Sequence, residues 1–368
     1  MTTRPLVLVD ADTVGRARTG DEAYTINLLR ELPGVAPDLA FAASLRDPAA
    51  MPDDVPSSVR RLALDVASPY RRIPLALPRL ARREGAALLH VQYFVAPRTQ
   101  VPAVVTVHDL SFTRRPELFG WRDRLLLGGL VPGSVRRARR VIAVSDFTRG
   151  DLIDRYGLDP GRVVAIPNGV STRFHPDLAA AAAARTTLSL ERPFVLFVGA
   201  LQPRKNAGTL IEAFKRLREH DDLELVLAGG DRGGLDEVRE RVRDLGLAGR
   251  VRLLGHVSEA ALPGLYAAAE LLAFPSLYEG FGLPALEAMA CGTPVCASST
   301  TGLGEAVGDA GLTFDPTSAE EIADRMTRLL EDEQLRERLR AAGLERAARF
   351  TWRGNAEATA AVYREAIG

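Results

Sequence analysis

Two stretches in the later half of the sequence hold the residue types best suited to chemistry. In GALQPRKN (199–206), an apolar run from Phe194 ends at Gly199, and Arg204 and Lys205 stand just ahead of a helical segment starting near Ala207. Free amides at a helix start, with positive side chains beside them, suit a phosphate. Of 47 basic residues only Lys205 and Lys215 are lysines, so a compact point charge at 205 breaks the chain's habit of using the planar arginine fork. In SLYEGFGLPALEAMACGTPV (276–295), Phe281, Gly282 and Leu283 lead into Pro284, a residue suited to the first helical position, and their amides make a second anion cradle. Glu279 precedes that helix and Glu287 lies about one turn inside it. Carboxylates repel phosphate but accept hydrogen bonds from hydroxyls. A ligand with hydroxyls on both sides of a diphosphate would satisfy all these groups, which describes a nucleotide sugar. Singly, each acid is equally accounted for by the helix dipole or a solvated helix face. Their combination with the GALQPRKN loop is what points to a ligand.

Such loops need strand ends that come together, and the hydrophobic pattern supplies them. Short apolar runs recur at LVLVD (6–10), LLHVQ (88–92), AVVTVHD (103–109) and VIAVS (141–145). A second series follows at FVLFVGA (194–200), LELVLAG (223–229), RVRLLGH (250–256), ELLAFPS (270–276) and TPVCAS (293–298). Amphipathic helical segments such as 22–32 and 146–156 lie between them, the βαβ pattern of parallel sheets. The stretch 171–193 has no strand signal, so two doubly wound, Rossmann-like α/β domains are predicted, with ligand in a cleft at the carboxyl ends of the strands. Helical segments at 319–330, 333–348 and 355–366 close the sequence.

Composition narrows the classes. A chain of 368 residues, 46% hydrophobic and 26% charged, predicts a folded globular protein of two domains. Its zero net charge divides into +6 over residues 1–170 (24 basic, 18 acidic) and −6 over the remainder (23 basic, 29 acidic). That balance argues against a general nucleic-acid binder and leaves an anionic partner open for the first half. No uncharged apolar run approaches the roughly 20 residues that cross a bilayer, and no basic segment with an apolar signal core opens the sequence. The expectation is a cytoplasmic protein. Cys291 and Cys296 lack CxxC spacing and are expected as reduced packing residues.

The stretch PSLYEGFGLPALEAMACGTPV resembles the Glu, seven residues, Glu motif of glycosyltransferase family 4, a group of retaining enzymes with the two-domain GT-B fold. GALQPRKN is similar to that family's phosphate loop and VVAIPNGVSTRFHP (163–176) to its interdomain segment. The resemblance covers nearly the whole chain. It implies an N-terminal acceptor-side domain (1–170), a C-terminal nucleotide-sugar domain (171–349), and a final helix, about 350–368, packing back onto the first. It also implies that Arg204 and Lys205 neutralise the donor diphosphate, that Glu287 accepts from ribose hydroxyls and that Glu279 holds hydroxyls of the donor sugar. Gly282 and Leu283, with Phe281 and Gly199 beside them, lend backbone to phosphate or sugar, and the backbone at His256 and Val257 meets the base. His108, in AVVTVHDLSF, positions the transferred sugar, with Asp109 as its neighbour. Similar enzymes typically need neither metal nor cofactor, and the departing phosphate helps to deprotonate the acceptor. The implied donor is a GDP- or UDP-linked hexose, with TVHDLSF similar to bacterial mannosyltransferases. The acceptor class, whether saccharide, lipid-linked or small molecule, stays open.

The family's paired glycines are missing from the first βα turn, where GRARTGDEAY offers only Gly15 and Gly20; Gly20 is the better match for close backbone approach to ligand. Asp10-Ala-Asp12 sits at the end of the first strand, too early for the metal-binding Asp-x-Asp of other glycosyltransferases. Two basic stretches, RRIPLALPRLARR (71–83) and SVRRARR (134–140), read either as solvated arginine faces or as a weak peripheral contact with the inner membrane face; Pro74 and Pro78 are expected to break the first. Rival functions are a UDP-sugar epimerase on a similar fold and a non-catalytic nucleotide-sugar-binding subunit. A dehydrogenase is disfavoured because no GxGxxG opens either series.

Overall fold

The computed structural model describes residues 4–16, 19–217 and 220–368. They form two units, one of residues 1–169 with 350–368 and one of residues 170–349. The first carries β1 (Leu6–Asp10), α1 (Thr19–Val35), β2 (Ala40–Leu45), β3 (Val59–Ala63), α2 (Pro69–Arg71), α3 (Leu77–Arg83) and β4 (Leu88–Gln92). It continues with β5 (Ala103–Val107), α4 (Ser111–Arg114), α5 (Trp121–Arg137), β6 (Arg140–Ala143), α6 (Asp146–Tyr156) and β7 (Val163–Ala165). Its seven-stranded sheet is parallel, in the order β3-β2-β1-β4-β5-β6-β7. Runs such as LVLVD and AVVTV are nearly all apolar because both faces are covered. On one face, Leu77 and Leu80 of α3, Val131 and Val135 of α5 and Leu152 of α6 pack on the strands.

The second unit holds α7 (Leu178–Thr187), β8 (Phe194–Val198), α8 (Ala207–Phe214), β9 (Glu224–Ala228), α9 (Leu235–Asp244), β10 (Val251–Gly255) and α10 (Leu262–Ala268). After these come β11 (Leu271–Phe274), α11 (Leu283–Ala290), β12 (Val295–Ser298), α12 (Thr301–Val307), β13 (Leu312–Phe314), α13 (Ala319–Glu331) and α14 (Glu333–Ala348). Its six parallel strands run β10-β9-β8-β11-β12-β13. In both sheets the order reverses beside the first strand, between β1 and β4 and between β8 and β11. That reversal opens a crevice at the carboxyl ends of the strands, where loops on the two sides diverge.

The last helix, α15 (Trp352–Ile367), belongs to the first unit although the whole second unit precedes it. Its Trp352, Ala356, Ala360 and Tyr363 fill the other face of the first sheet, against Tyr24, Leu28 and Leu32 of α1. The chain passes it so closely at Gly169 that a Cβ there would lie 2.1 Å from the Trp352 nitrogen.

Several expectations need correction. Strands β2, β3, β7 and β13 carry weak signals, since AFAASL is alanine-rich, VRRLA holds two arginines, and VVA and LTF are three residues long. Pro74 and Pro78 do not break the first basic stretch. A π-helical turn, Arg72–Ala76, links α2 to α3; Pro74 falls inside this wider turn, and Pro78 occupies the start of α3, where its missing N–H leaves no helical bond unmade. Nor is that stretch wholly solvated, because Arg72 is 2% exposed. No described helix is long and apolar enough to cross a membrane.

Candidate active site

The two loops singled out by their chemistry meet because β8 and β11 are neighbours, with Leu271 beside Val195. Both strands point the same way, so GALQPRKN and SLYEGFG leave the sheet side by side. Pro203–Lys205 forms a 3-10 turn that Asn206 closes at φ +59°, its Nδ2 donating to the carbonyls of Pro275 (3.1 Å) and Pro316 (2.7 Å). The Leu277 amide donates to the Arg204 carbonyl at 2.9 Å, which ties one loop to the other. Asparagine tolerates this left-handed conformation better than most residues.

Glu279 is the centre of the cluster. Lys205 Nζ donates to its Oε1 at 2.6 Å and Arg204 Nη1 to its Oε2 at 3.2 Å, with a further bond from Arg204 to the Tyr278 carbonyl at 2.8 Å. Lys205 is itself buried, its Nζ 4.9 Å from the centre of the Phe274 ring and its aliphatic stem 3.5 Å from where a Cβ on Gly199 would stand. Burial alone would raise the Glu279 carboxyl, but the charges of Lys205 and Arg204 outweigh it and hold the group at about 2. The acid and the two cations, expected to act on separate parts of a ligand, are thus partners of one another. The Glu279 backbone is fixed as well, its N–H donating to Thr301 Oγ1 at 3.0 Å and its carbonyl accepting from Gly302 at 3.1 Å. Thr301 makes that bond at φ +66°, an outlier for a β-branched residue.

Glu287 occupies different surroundings. Tyr266 OH donates to its Oε2 at 3.0 Å, and burial pushes the carboxyl up to about 7, with Tyr266 and Arg173 working against the rise and Glu259 adding to it. The helix that carries Glu287, α11, starts at Leu283, so Pro284 is its second residue and Gly282 its cap. Gly282 sits at φ +118°, and a Cβ there would come within 2.6 Å of Leu303; this turn admits no other residue without displacement. Phe281 beneath it is buried. His256, exposed, and Val257, half-buried, follow β10 at the same edge of the sheet, two strands from β8.

In the first unit, His108 follows β5 with its Nε2 2.8 Å from Gln92 Oε1, the Tyr24 ring edge-on at 4.9 Å and an Asp21 carboxylate oxygen at 3.9 Å. Asp109 is engaged locally, its Oδ1 accepting from the Ser111 amide (2.9 Å) and hydroxyl (2.6 Å). Gly20 is exposed and a Cβ there would meet nothing within 4 Å, whereas Gly15, at φ +77°, would put its Cβ 2.7 Å from Ala50. The glycine this turn requires for its own packing is therefore Gly15. Asp10 takes Arg72 at 2.8 and 2.5 Å, and Asp12 pairs with Arg16 and Arg46 at 2.6 and 2.9 Å, so these acids balance arginines. Cys291 and Cys296 are buried and free, and burial pushes both thiols up to about 12.

Residues that sequence reasoning passed over include Gln92, Tyr266 and Thr301. The first two reach their partners from distant elements and carry no local signal. Thr301, in SSTTGLGE, opens a helix after a strand end, which was a legible cue.

Residues 19–174 match the family model for Glycosyltransferase Family 4, and residues 181–346 the model for glycosyl transferases group 1. The chain is 34% identical over 282 residues to O-antigen chain mannosyltransferase B of Escherichia coli, covering 75% of this chain and 74% of that protein. It is 38% identical over 309 residues to the D-inositol 3-phosphate glycosyltransferase of Salinispora arenicola, covering 76% and 69%. Among solved structures, sucrose-phosphate synthase from Thermosynechococcus elongatus superposes with a TM-score of 0.82 at 26% identity over 98% of this chain and 99% of that one. Anabaena HepE in complex with UDP and glucose gives 0.78 at 21% identity over 98% and 100%.

Proposed function

The chain belongs to glycosyltransferase family 4, a glycosyltransferase with two parallel-sheet α/β units of the GT-B class, and from that premise we propose a retaining, metal-independent transfer of a hexose from a nucleotide diphosphate sugar to an acceptor hydroxyl. The observation that carries this reading is the trio of buried Lys205 and Glu279 with half-buried Arg204 at the crevice between β8 and β11. Two fixed cations there favour a diphosphate, and most of all the charge it gains as the bond to the sugar breaks. Glu279, kept ionised by the same cations, accepts from hydroxyls of the sugar. Glu287 accepts from the ribose, the amides of Gly282 and Leu283 face phosphate or sugar, and the backbone at His256 and Val257 meets the base. His108 positions the transferred sugar.

In this scheme the acceptor oxygen bonds to the anomeric carbon on the face from which the nucleoside diphosphate departs. The leaving phosphate takes the acceptor proton, so no protein base and no covalent intermediate is needed. Arg204 and Lys205 supply the positive charge that a metal would otherwise bring. For the donor, the E. coli relative is named a mannosyltransferase and HepE was solved with UDP and glucose; GDP-mannose is favoured over UDP-glucose on the closer sequence relation. The acceptor is a saccharide, a lipid-linked sugar or a small polyol of the kind named by the Salinispora relative.

A peripheral contact with the cytoplasmic face of a membrane is part of the proposal. Arg79, Arg82, Arg83 and Arg98 line a groove of about 490 Å³ with Leu75 and Pro78, and Tyr70 and Trp121 stand 71% and 65% exposed on the same unit. Exposed cations interleaved with apolar groups suit an anionic lipid surface.

A thermal-shift panel of nucleotide sugars tests the donor, since a ligand of the folded state raises the melting temperature. The proposal predicts a rise with GDP-mannose or UDP-glucose and turnover only when an acceptor is added. Epimerised donor in the absence of acceptor, or no rise with any nucleotide sugar, would refute it.

A further inference from the structure

The side chain of Gln92 has only one consistent orientation. Its Nε2 lies 2.6 Å from Thr25 Oγ1 and 3.4 Å from the Asp21 carbonyl. The carbonyl can only accept, and the Thr25 hydroxyl is already donating to that carbonyl at 2.9 Å, so both partners require an N–H from Gln92. Its Oε1 therefore faces His108, and the atom 2.8 Å away, His108 Nε2, must carry a proton. In the neutral ring that leaves Nδ1 with its lone pair, and no bond to Nδ1 is formed among the described residues. The ring is held in place by Tyr24 edge-on at 4.9 Å and by Tyr93 at 5.8 Å. Tyr93 itself sits at φ +60°, which places backbone strain directly beside this histidine. The titratable groups near it include the Asp21 carboxylate, 3.9 Å from Nε2, and the buried His90 ring, with which it interacts electrostatically.

We infer that Gln92 is a positioning residue that holds His108 in its Nε2–H form, so that Nδ1 is the atom offered to a hydroxyl of the transferred sugar. The inference rests on the proposed role of His108, but its first test does not depend on activity. The chain has five histidines, few enough for long-range proton–nitrogen spectra of the full protein labelled with nitrogen-15 histidine, with His108→Asn providing the assignment. At a pH above the ordinary histidine range the wild type should show His108 protonated at Nε2 alone. Gln92→Leu should mix the two forms and lower kcat roughly tenfold, about the worth of one oriented hydrogen bond, with little change in the KM for donor. Thr25→Val, which frees the Gln92 amide to turn, should act in the same direction should Gln92→Leu fail to fold. Gln92→Glu retains an acceptor against Nε2 and should keep the Nε2–H form. A wild-type His108 protonated at Nδ1, or Gln92→Leu and Thr25→Val proteins that both keep the proton on Nε2 alone, overturns the inference. Spectra that change while kcat does not would overturn the Nδ1 role and leave the phosphate site at Lys205 untouched.

Discussion

Glu287→Gln should stabilise the free protein at alkaline pH while impairing its activity. Burial lifts the Glu287 carboxyl from an ordinary 4.5 to about 7, against the opposing bond from Tyr266. Between those values the folded chain keeps a proton that the unfolded chain has released, so stability falls as pH rises through the window, and the cost is complete above pH 7. At about 1.4 kcal/mol per pKa unit, that cost is about 3 kcal/mol. Glutamine presents the neutral form permanently and its carbonyl can still accept from Tyr266. The variant should therefore match the wild type near pH 5 and exceed it by about 2–3 kcal/mol near pH 8. Urea unfolding followed by circular dichroism, with amide exchange in α11 as the local probe, measures the difference. Tryptophan fluorescence would not, because Trp121 and Trp352 both belong to the other unit. Ribose hydroxyls favour the carboxylate, so donor affinity in the wild type should rise with pH through about 7 and lose that dependence in the variant. An equal gain at both pH values, or no gain at either, would show that the carboxyl is not held protonated by its surroundings.

Lys205→Ala should lower turnover by about a hundredfold or more, the usual scale for losing one fixed group that faces developing charge. Arg204 keeps Glu279 partnered, so the fold should lose less than the roughly 3–5 kcal/mol that stranding a buried charge costs; unchanged kinetics would count against the site. Thr301→Gly relieves the strain at φ +66° but frees the Glu279 amide. It should leave melting within about 1–2 kcal/mol of wild type and lower kcat, and intact kcat would deny Thr301 a part in orienting Glu279. Reversing charge at Arg79, Arg82 and Arg98 should abolish co-sedimentation with anionic phospholipid vesicles and leave turnover on a water-borne acceptor intact, whereas vesicle binding that survives would place the contact elsewhere.

Much of this protein was written locally. The span of α6 is set by Ser145, whose hydroxyl accepts from the Thr148 amide, and by Gly157 at φ +61°, both readable from residue types. The buried strands announce themselves as apolar runs because helices cover both faces, and Lys205 stands out against a chain of arginines. Periodicity, caps and turns act over a few residues, so they survive in the linear string. Partnership across the sheet does not. Glu279 binds a lysine 74 positions away because β11 lies next to β8, burial raises the Glu287 carboxyl despite the bond from Tyr266, and Arg72 leaves a seemingly solvated stretch to pair with Asp10. Strand order decides which side chains meet, and burial decides their charge; both depend on contacts between segments remote along the chain, which only the folded structure brings together.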